Sequence, residues 1–196
     1  MGYEFKIVLA SSSPRRKELM EQLGVAFTVA EPISDESSTD PDPRKRVVQN
    51  AESKVQSVSG IYPDSLIMGA DTIVFLDGRF LGKPSTPEEA KEMLRFLSGR
   101  THYVFSGVAV LKTLSGAVYS GVEETLVTFK ELSPESIDEY VESGEPMDKA
   151  GAYAIQGGAE MFVERIDGSW SNVVGLPLKL LEKLLDDAQK GRIMGI

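Results

Sequence analysis

Short apolar runs alternate along this chain with longer segments in which apolar residues recur every three or four positions. Residues 7–10 form an uninterrupted apolar run, the pattern of a buried strand. Residues 44–58 instead place their apolar side chains on one helical stripe. This alternation of strand-like and helix-like segments is typical of α/β proteins. We therefore expect a mixed, twisted sheet that is flanked by helices.

The same patterns locate the individual elements. We predict strands at residues 7–10, 25–29, 66–76, 103–112 and 117–130, and helices at residues 14–23, 44–58, 87–97, 134–141 and 177–188. The third strand is expected to be interrupted at residues 69–72, and Asp77-Gly78 is expected to form a hairpin turn behind it. Ser115-Gly116 predicts an antiparallel hairpin between the last two of these strands.

The first helix begins with an unusual first turn. Ser13 is a good N-cap residue, and Pro14 needs no hydrogen-bond donor at the first helical position. Residues 15–17 then bring three cations to the end of the helix where the dipole favours anions. Elsewhere the chain places glutamate in the first turn, as in the capping box of Thr86 and Glu89. Positive charge beside backbone N–H groups suits a bound phosphate. A solvated basic face is the structural alternative, and the motif alone leaves the two interpretations close to parity.

The composition narrows the class of protein. A chain of 196 residues with no linker or repeat is expected to form a single domain over residues 1–196. A formal net charge of −9 argues against general nucleic-acid binding. The absence of cysteine excludes disulfides, thiol nucleophiles and cysteine metal sites. No apolar run approaches a membrane span, and residues 1–10 lack the layout of a signal peptide. We therefore expect a cytoplasmic protein with neither a membrane nor a nucleic acid as its partner.

Five isolated polar residues are candidates for chemistry. Asp71 lies in or just after a buried strand, where metal binding or proton transfer explains it better than an Asx turn. Lys54 lies at the edge of the apolar stripe of its helix, and from position alone a lysine that snorkels to water is favoured. Lys83 in a stiff turn and Glu36 in a loop rich in Pro, Ser and Asp are weaker signals. His102 has no partners at a recognisable catalytic spacing, so we expect a structural or surface histidine.

Two segments rich in small residues carry a few directional polar groups. Residues 145–158 contain glycines and alanines that permit close backbone approach, together with Tyr153 and Gln156. The side-chain amide of Gln156 can both donate and accept, which suits the edge of a nucleobase. Residues 168–177 form a second such segment before the last helix. An ordinary irregular connection is the alternative for both segments.

These segments together resemble the Maf family of nucleoside triphosphate pyrophosphatases. Each motif alone is weak, but the set occurs in the family's order and covers nearly the whole chain. The matching pieces are residues 11–16 (Ser-Ser-Ser-Pro-Arg-Arg), Lys54, residues 69–72 (Gly-Ala-Asp-Thr), Lys83-Pro84, residues 148–153, residues 155–157 and residues 173–177. The resemblance implies a two-lobed α/β fold with a central cleft for the nucleotide, akin to that of inosine triphosphatases.

The resemblance also implies a reaction and the residues that perform it. A nucleoside triphosphate would be hydrolysed to the monophosphate and pyrophosphate with the help of a divalent cation, Mg²⁺ or Mn²⁺. Asp71 would accept the proton of the attacking water and bind the metal, and Glu36 would contribute to the same metal site. The residues that would surround the triphosphate and neutralise its charge are Ser11, Arg15, Arg16, Lys54 and Lys83.

Three further matches imply the substrate. The branch of the family that acts on dTTP and UTP carries the Arg, Thr and Gln that stand here as Arg15, Thr72 and Gln156. The resemblance therefore implies hydrolysis of dTTP and UTP, and of modified pyrimidine nucleotides, in house-cleaning of the nucleotide pool. Two alternatives stay open: a pyrophosphatase for purine nucleotides or 7-methyl-GTP, and a nucleotide-binding regulator of septum formation without catalysis. A homodimer is a further expectation at the level of the family.

Overall fold

The computed structural model describes residues 4–33 and 37–191, and within these residues the chain forms seven strands and six α-helices. The strands are β1 (Lys6–Ala10), β2 (Phe27–Ala30), β3 (Ser65–Leu76), β4 (Arg79–Leu81), β5 (Thr101–Lys112), β6 (Ala117–Phe129) and β7 (Val163–Asp167). The helices are α1 (Pro14–Gln22), α2 (Pro43–Ser57), α3 (Pro87–Leu97), α4 (Pro134–Glu142), α5 (Trp170–Val174) and α6 (Leu178–Lys190). Short 3₁₀ helices cover Glu145–Asp148, Ala150–Ala152 and Gly158–Phe162.

The strands form one mixed sheet in the order β2-β1-β3-β5-β6-β7, with β4 paired to β3. Strand β1 is parallel to both β2 and β3, whereas β4 is antiparallel to β3 and β7 is antiparallel to β6. Strands β5 and β6 are neighbours joined by residues 113–116 alone, a connection that is long enough only for an antiparallel pair. The predicted mixed sheet flanked by helices is confirmed.

The chain divides into two compact units. The first unit contains Met1–Asp71, Ser106–Glu123 and Gly175–Ile196, and the second contains Thr72–Phe105 and Glu124–Val174. In the first unit, Val55 of α2 packs with Ile67 of β3 in a fully buried core. In the second unit, Leu94 of α3 and Ile137 of α4 belong to a separate buried core. The two units agree with the two lobes that the resemblance implies, while the central cleft stays a prediction.

The helix starts are largely as predicted, with one difference at α1. Thr86 Oγ1 accepts a hydrogen bond from Glu89 N at 3.2 Å, which closes half of the predicted capping box. The other half is shifted by one residue, because the Glu89 carboxylate accepts from Ser85 N at 2.6 Å. Ser13 occupies the N-cap position of α1, but its side chain forms no capping bond. Helix α1 therefore begins without the side-chain cap that α2, α3 and α4 have.

Strand β3 runs without a break through the residues at which the sequence predicts an interruption. It covers Ser65–Leu76, so the expected interruption at residues 69–72 is wrong. The small residues there allow close packing instead. A Cβ atom on Gly69 would lie 3.0 Å from Val55 Cγ1 and 3.2 Å from the carbonyl oxygen of Ala51, both on α2. The helix backbone consequently lies directly against the strand.

The sequence predicted the hairpin turn correctly but did not predict the short elements in the segments rich in small residues. Asp77 and Gly78 have φ angles of 48° and 77° between β3 and β4, as a type I′ hairpin turn requires, so that prediction is confirmed. Strand β7, helix α5 and the 3₁₀ helices were not predicted, because the small residues around them show neither helical nor strand periodicity. Of the helices that the structure describes, none combines the length and apolar character needed to cross a membrane.

Candidate active site

Two side chains of α2 hold the carboxylate of Asp71 from one side. Asn50 and Lys54 lie about one turn apart on the helix, so they share a face. Lys54 Nζ donates to Asp71 Oδ1 at 2.8 Å, and Asn50 Nδ2 donates to Asp71 Oδ2 at 2.9 Å. Lys54 is 4% exposed and Asp71 is 3% exposed. The sequence thus builds a buried lysine–aspartate pair with an amide on the second carboxylate oxygen.

Lys54 does not snorkel, which corrects the interpretation favoured by its position on the helix. Its ammonium group points inward and donates to Ala70 O at 3.1 Å as well as to Asp71. The reason is that the strand supplies a carbonyl and a carboxylate within reach, and a buried charge is tolerated when it is paired and hydrogen-bonded. Asp71 itself lies inside β3, so the Asx turn that the sequence left open is also wrong.

Asn50 is a site residue that the sequence analysis missed. Its Oδ1 accepts from Ser38 N at 3.1 Å while its Nδ2 donates to Asp71, so one buried amide joins the segment before α2 to the carboxylate. These two partners also fix which way the amide is turned. The available signal was an asparagine, a poor helix former, four residues before Lys54.

Helix α2 lies against glycines of two neighbouring strands. Gly69 of β3 lies against Ala51 and Val55 of the helix. A Cβ atom on Gly107 of β5 would lie only 2.3 Å from both the carbonyl carbon and the carbonyl oxygen of Val47. The contact leaves no room for a side chain at Gly107, and at Gly69 a Cβ atom would fit only if Val55 and Ala51 moved by a few tenths of an ångström. The two glycines therefore set how closely the helix that carries Asn50 and Lys54 approaches the sheet.

Ser11 and Arg16 both lie near the N-terminal end of α1, and each forms a hydrogen bond with the backbone. Ser11 is buried, and its Oγ accepts from Ser13 N at 3.2 Å. Arg16 Nε donates to the carbonyl oxygen of Gly175 at 2.9 Å. Gly175 has a φ angle of 120°, which favours glycine at this position. Arg15 is half-buried in the first turn of α1.

The remaining predicted residues belong to the second unit. Thr72 follows Asp71 in β3, so its side chain points to the opposite face of the strand from the pair with Lys54. Lys83 is exposed in the loop after β4, and the neighbouring Gly82 accepts from Gly151 N at 3.0 Å. Gln156 is exposed, whereas residues 151–155 before it are buried. Among the predicted site residues, the structure brings Lys54 and Asp71 into direct contact.

His102 is a structural residue, as the sequence predicts. It is completely buried, with Nε2 2.8 Å from the Oη atom of Tyr153 and its ring edge-to-face with Phe129. Burial lowers the pKa of His102 to about 3, so the imidazole is neutral at physiological pH. Burial also raises the pKa of Tyr153, with a smaller contribution from Tyr140, and keeps the phenol protonated.

The carboxylate of Asp71 has the chemistry of a single ligand for a divalent cation. Among the described residues there is no cluster of three or more acidic or histidine side chains. Within residues 4–33 and 37–191, each oxygen of Asp71 accepts one hydrogen bond, whereas an ionised carboxylate offers about four lone-pair sites. A single carboxylate that retains acceptor capacity suits Mg²⁺, which is commonly held by one or two carboxylates and the substrate phosphates. Glu36, the other predicted metal ligand, lies outside the described residues.

Comparison with known proteins identifies the class to which this α/β fold and its buried lysine–aspartate pair belong. Residues 6–188 match the family described as Maf-like protein. The dTTP/UTP pyrophosphatase of Moorella thermoacetica is 49% identical over 181 residues, which is 92% of this chain and 93% of the relative. The protein of the same name from Dictyoglomus thermophilum is 45% identical over 183 residues, 92% of this chain and 95% of the relative.

The chain therefore belongs to the Maf family, as its motifs indicate. A third dTTP/UTP pyrophosphatase, from Caldicellulosiruptor saccharolyticus, is 44% identical over 96% of this chain and 99% of its own length. Among solved structures, a nucleoside-triphosphatase / dITP/XTP pyrophosphatase from Mycobacterium abscessus matches with a TM-score of 0.41 and 14% identity over 65% of this chain and 75% of that one. That likeness is too distant to add to the assignment.

Proposed function

We propose that this protein is a nucleoside triphosphate pyrophosphatase that hydrolyses dTTP and UTP to the monophosphate and pyrophosphate. The observation that carries the proposal is the buried pair of Lys54 and Asp71. It occurs in a protein whose relatives are named dTTP/UTP pyrophosphatase. The cellular role is house-cleaning of the pyrimidine nucleotide pool, modified pyrimidine nucleotides included.

Asp71 is the proton acceptor in this proposal. Water adds to the phosphorus that stays with the nucleoside, its proton passes to the Asp71 carboxylate, and pyrophosphate leaves with the bridging oxygen. The bonds from Lys54 and Asn50 fix the orientation of the carboxylate before substrate arrives. A positioned general base of this kind contributes about 10²–10⁴-fold to the rate.

Cationic and polar groups of the chain neutralise the triphosphate. Ser11, Arg15, Arg16, Lys54 and Lys83 are the residues proposed for this role. Charge develops on the phosphate oxygens as the bond to the leaving group breaks, so groups already in place stabilise the transition state. The uncapped first turn of α1 adds backbone N–H dipoles to the cations that follow Pro14.

A divalent cation, Mg²⁺ or Mn²⁺, is the proposed cofactor. Asp71 would hold it, with Glu36 as the second predicted ligand. When bound, the cation neutralises charge on the phosphate oxygens and orients them.

Arg15, Thr72 and Gln156 are the proposed selectivity residues. Gln156 offers both a donor and an acceptor, which match the alternating acceptor and donor on the edge of uracil and thymine. A site that hydrogen-bonds one edge rejects bases with a different edge strongly. The methyl group that distinguishes thymine from uracil is worth only about 1–3 kcal/mol, so both nucleotides are expected to be substrates.

The test is release of pyrophosphate by the purified protein from dTTP, UTP, a purine triphosphate and 7-methyl-GTP, each with Mg²⁺ or Mn²⁺. Turnover of dTTP and UTP above the others supports the proposal. Preference for 7-methyl-GTP or a purine nucleotide contradicts the substrate but not the reaction. Tight nucleotide binding without release of pyrophosphate contradicts the reaction and favours the non-catalytic regulator.

The proposal extends to the domain organisation, cellular location, oligomeric state and partners of the protein. We propose that residues 1–196 form a single Maf-type domain that acts in the cytoplasm as a homodimer, and the family match over residues 6–188 supports the single domain. No nucleic acid or membrane is included among its partners. Light scattering on the purified protein tests the dimer by its mass in solution.

A further inference from the structure

A single carboxylate ties together both ends of the loop that carries Gln156. We name residues 153–158 the Gln156 loop. At its first end, Ala154 N donates to Tyr140 Oη at 3.0 Å, and the same hydroxyl donates to Glu145 Oε1 at 2.9 Å. At its other end, Gly158 N donates to Glu145 Oε2 at 3.1 Å. Tyr140 and Glu145 thus form a continuous hydrogen-bonded clamp under the loop.

The glycines of the loop allow it to lie directly on this clamp. A Cβ atom on Gly157 would lie 2.1 Å from Glu145 Oε1 and 2.5 Å from Glu145 Cδ, distances that real Cβ atoms essentially never show. A Cβ atom on Gly158 would lie 3.1 Å from Cδ2 of the Tyr140 ring. The two glycines after Gln156 therefore allow Glu145 and Tyr140 to contact the loop backbone in the positions that form the clamp.

The clamp itself is anchored in the core of the second unit. Tyr140 lies on α4, is 6% exposed, and packs edge-to-face on Phe162 with ring centroids 5.2 Å apart. Glu145 opens the 3₁₀ helix that follows α4, and its N–H donates to Ser143 Oγ at 3.2 Å. Both partners are thus positioned by structure outside the loop.

The loop buries its other large side chains and exposes Gln156. Tyr153 and Ile155 are 6% and 5% exposed, while Gln156 is on the surface. Fixing the backbone at Ala154 and Gly158 therefore fixes the point from which the Gln156 side chain extends. Selection by a hydrogen-bonding group is sensitive to such placement, since a displacement of about 1 Å can lower a rate by about 100-fold.

We propose that Tyr140 and Glu145 are positioning residues for base selection, which hold the Gln156 loop in the conformation that reads the pyrimidine edge. The inference rests on the proposed function, because it requires a nucleotide whose base Gln156 contacts. It adds that selectivity depends on two residues that do not themselves touch the base.

The test compares UTP with CTP, which share the sugar and triphosphate and differ at the base edge. Tyr140→Phe removes the hydroxyl and keeps the ring on Phe162. Glu145→Gln replaces one carboxylate oxygen by an amide nitrogen, so the side chain can keep only one of the two hydrogen bonds that Glu145 accepts from Tyr140 Oη and Gly158 N. For both variants we expect the ratio of kcat/KM for UTP to that for CTP to fall by about tenfold or more, mainly through a higher KM for UTP.

A matched control separates the clamp from a general effect of charge. Glu160 is exposed in the 3₁₀ helix that begins at Gly158, and Glu160→Gln removes the same charge near the loop. This control should leave the ratio unchanged. The double variant of Tyr140 and Glu145 should lose little more than either single variant, because both changes open one chain of hydrogen bonds.

The experiment distinguishes failure of the inference about Tyr140 and Glu145 from failure of the proposed function. Wild-type protein that selects UTP over CTP, together with clamp variants that keep the same ratio or lower kcat equally for both nucleotides, overturns the inference and leaves the function standing. Wild-type protein without pyrophosphate release overturns the function. In that case calorimetric binding of UTP and CTP to the same variants decides the inference by the same ratio. If Tyr140→Phe does not fold, Glu145→Gln and Gly157→Ala carry the comparison.

Discussion

The Nζ atom of Lys54 lies 2.8 Å from Oδ1 of Asp71, and both side chains are almost completely shielded from water. Removing two charges from water is unfavourable, and close geometry with additional hydrogen bonds is needed to offset it. Here Lys54 also donates to Ala70 O, and Asp71 also accepts from Asn50. Apolar residues of similar volume often stabilise a core as well or better. The pair is therefore better explained by chemistry than by stability.

The charge of Asp71 should matter much more for turnover than for nucleotide binding. Asp71→Asn keeps the shape of the side chain and removes the proton acceptor. We expect kcat to fall by about 10²–10⁴-fold, the usual contribution of a general base. Pyrophosphate release measures the rate, and calorimetric titration with UTP measures binding. Unchanged turnover would remove Asp71 from its proposed role.

Separating the pair should destabilise the protein more than neutralising both partners. Lys54→Met leaves the Asp71 carboxylate buried without its counter-ion, which should lower the free energy of unfolding by about 3–5 kcal/mol. In the double variant Lys54→Met/Asp71→Asn, no buried charge is left, and the new amide oxygen can still accept from Asn50 Nδ2. Denaturant unfolding should show the double variant to be the more stable of the two. Equal loss in both would mean that the charge is not the cause.

Asn50 should affect turnover through Asp71. Asn50→Leu removes the donor to Asp71 Oδ2 and the acceptor for Ser38 N. We expect kcat to fall by about 10–100-fold, the range seen when supporting partners of a site residue are removed. Gln49 is a matched control, because it bonds Ser38 Oγ at 2.5 Å, lies next to Asn50 and is exposed. If Gln49→Ala lowers kcat as much as Asn50→Leu does, the effect belongs to the Ser38 segment and not to Asp71.

The buried imidazole of His102 should make stability fall in mild acid. Burial lowers the pKa of His102 from 6.5 to about 3, so below pH 6.5 the unfolded chain binds a proton that the folded protein does not. The contribution of the buried neutral imidazole to the free energy of unfolding is complete above pH 6.5. It is lost as the pH falls toward 3, at about 1.4 kcal/mol per pH unit. His102→Gln removes this group. Between pH 7 and pH 5, the free energy of unfolding should fall by about 2 kcal/mol more in wild type than in the variant. Parallel pH curves would contradict the assignment.

Adding one methyl group at Gly107 should disturb the seat of α2. Its Cβ would lie 2.3 Å from backbone atoms of Val47, which cannot move without moving the helix. Gly107→Ala should lower the free energy of unfolding by about 1–3 kcal/mol or more. Gly60→Ala is the control, since a Cβ there meets nothing within 4 Å, and it should change stability by less than about 0.5 kcal/mol. Thermal unfolding of the two variants checks the contrast.

Local patterns predicted most of the fold, whereas Lys54 and Asp71 were brought together as site residues only by the resemblance to the Maf family, and neither source showed that their side chains touch. Features that depend on neighbouring residues can be predicted from the sequence. Examples are the helix starts at Thr86 and Pro134 and the turn at Asp77-Gly78. The break expected at residues 69–72 was wrong. The small residues there suggested an interruption of the strand, but in the folded protein they make room for helix α2, which packs against it.

Partners distant in sequence explain what the patterns could not show. The burial of Lys54 depends on a carboxylate 17 residues away, and the role of Asn50 depends on the same group 21 residues away. Glu145 bonds Gly158 across 13 residues without any local signature. Periodicity reports which face of an element is apolar, but it does not report which polar groups meet once strands and helices are packed.

The close packing of α2 on Gly69 and Gly107 makes this part of the protein stiff, in contrast to its loops. At Gly107 the strand contacts the backbone of the helix, so no side chain can change rotamer to alter the spacing. Asn50 and Lys54, which we propose to orient the carboxylate for phosphate chemistry common to all nucleotides, are thus held at a fixed distance from the sheet. Changes of substrate during evolution or engineering are then expected to accumulate in loops such as the one that bears Gln156, with the helix and its two glycines left as they are.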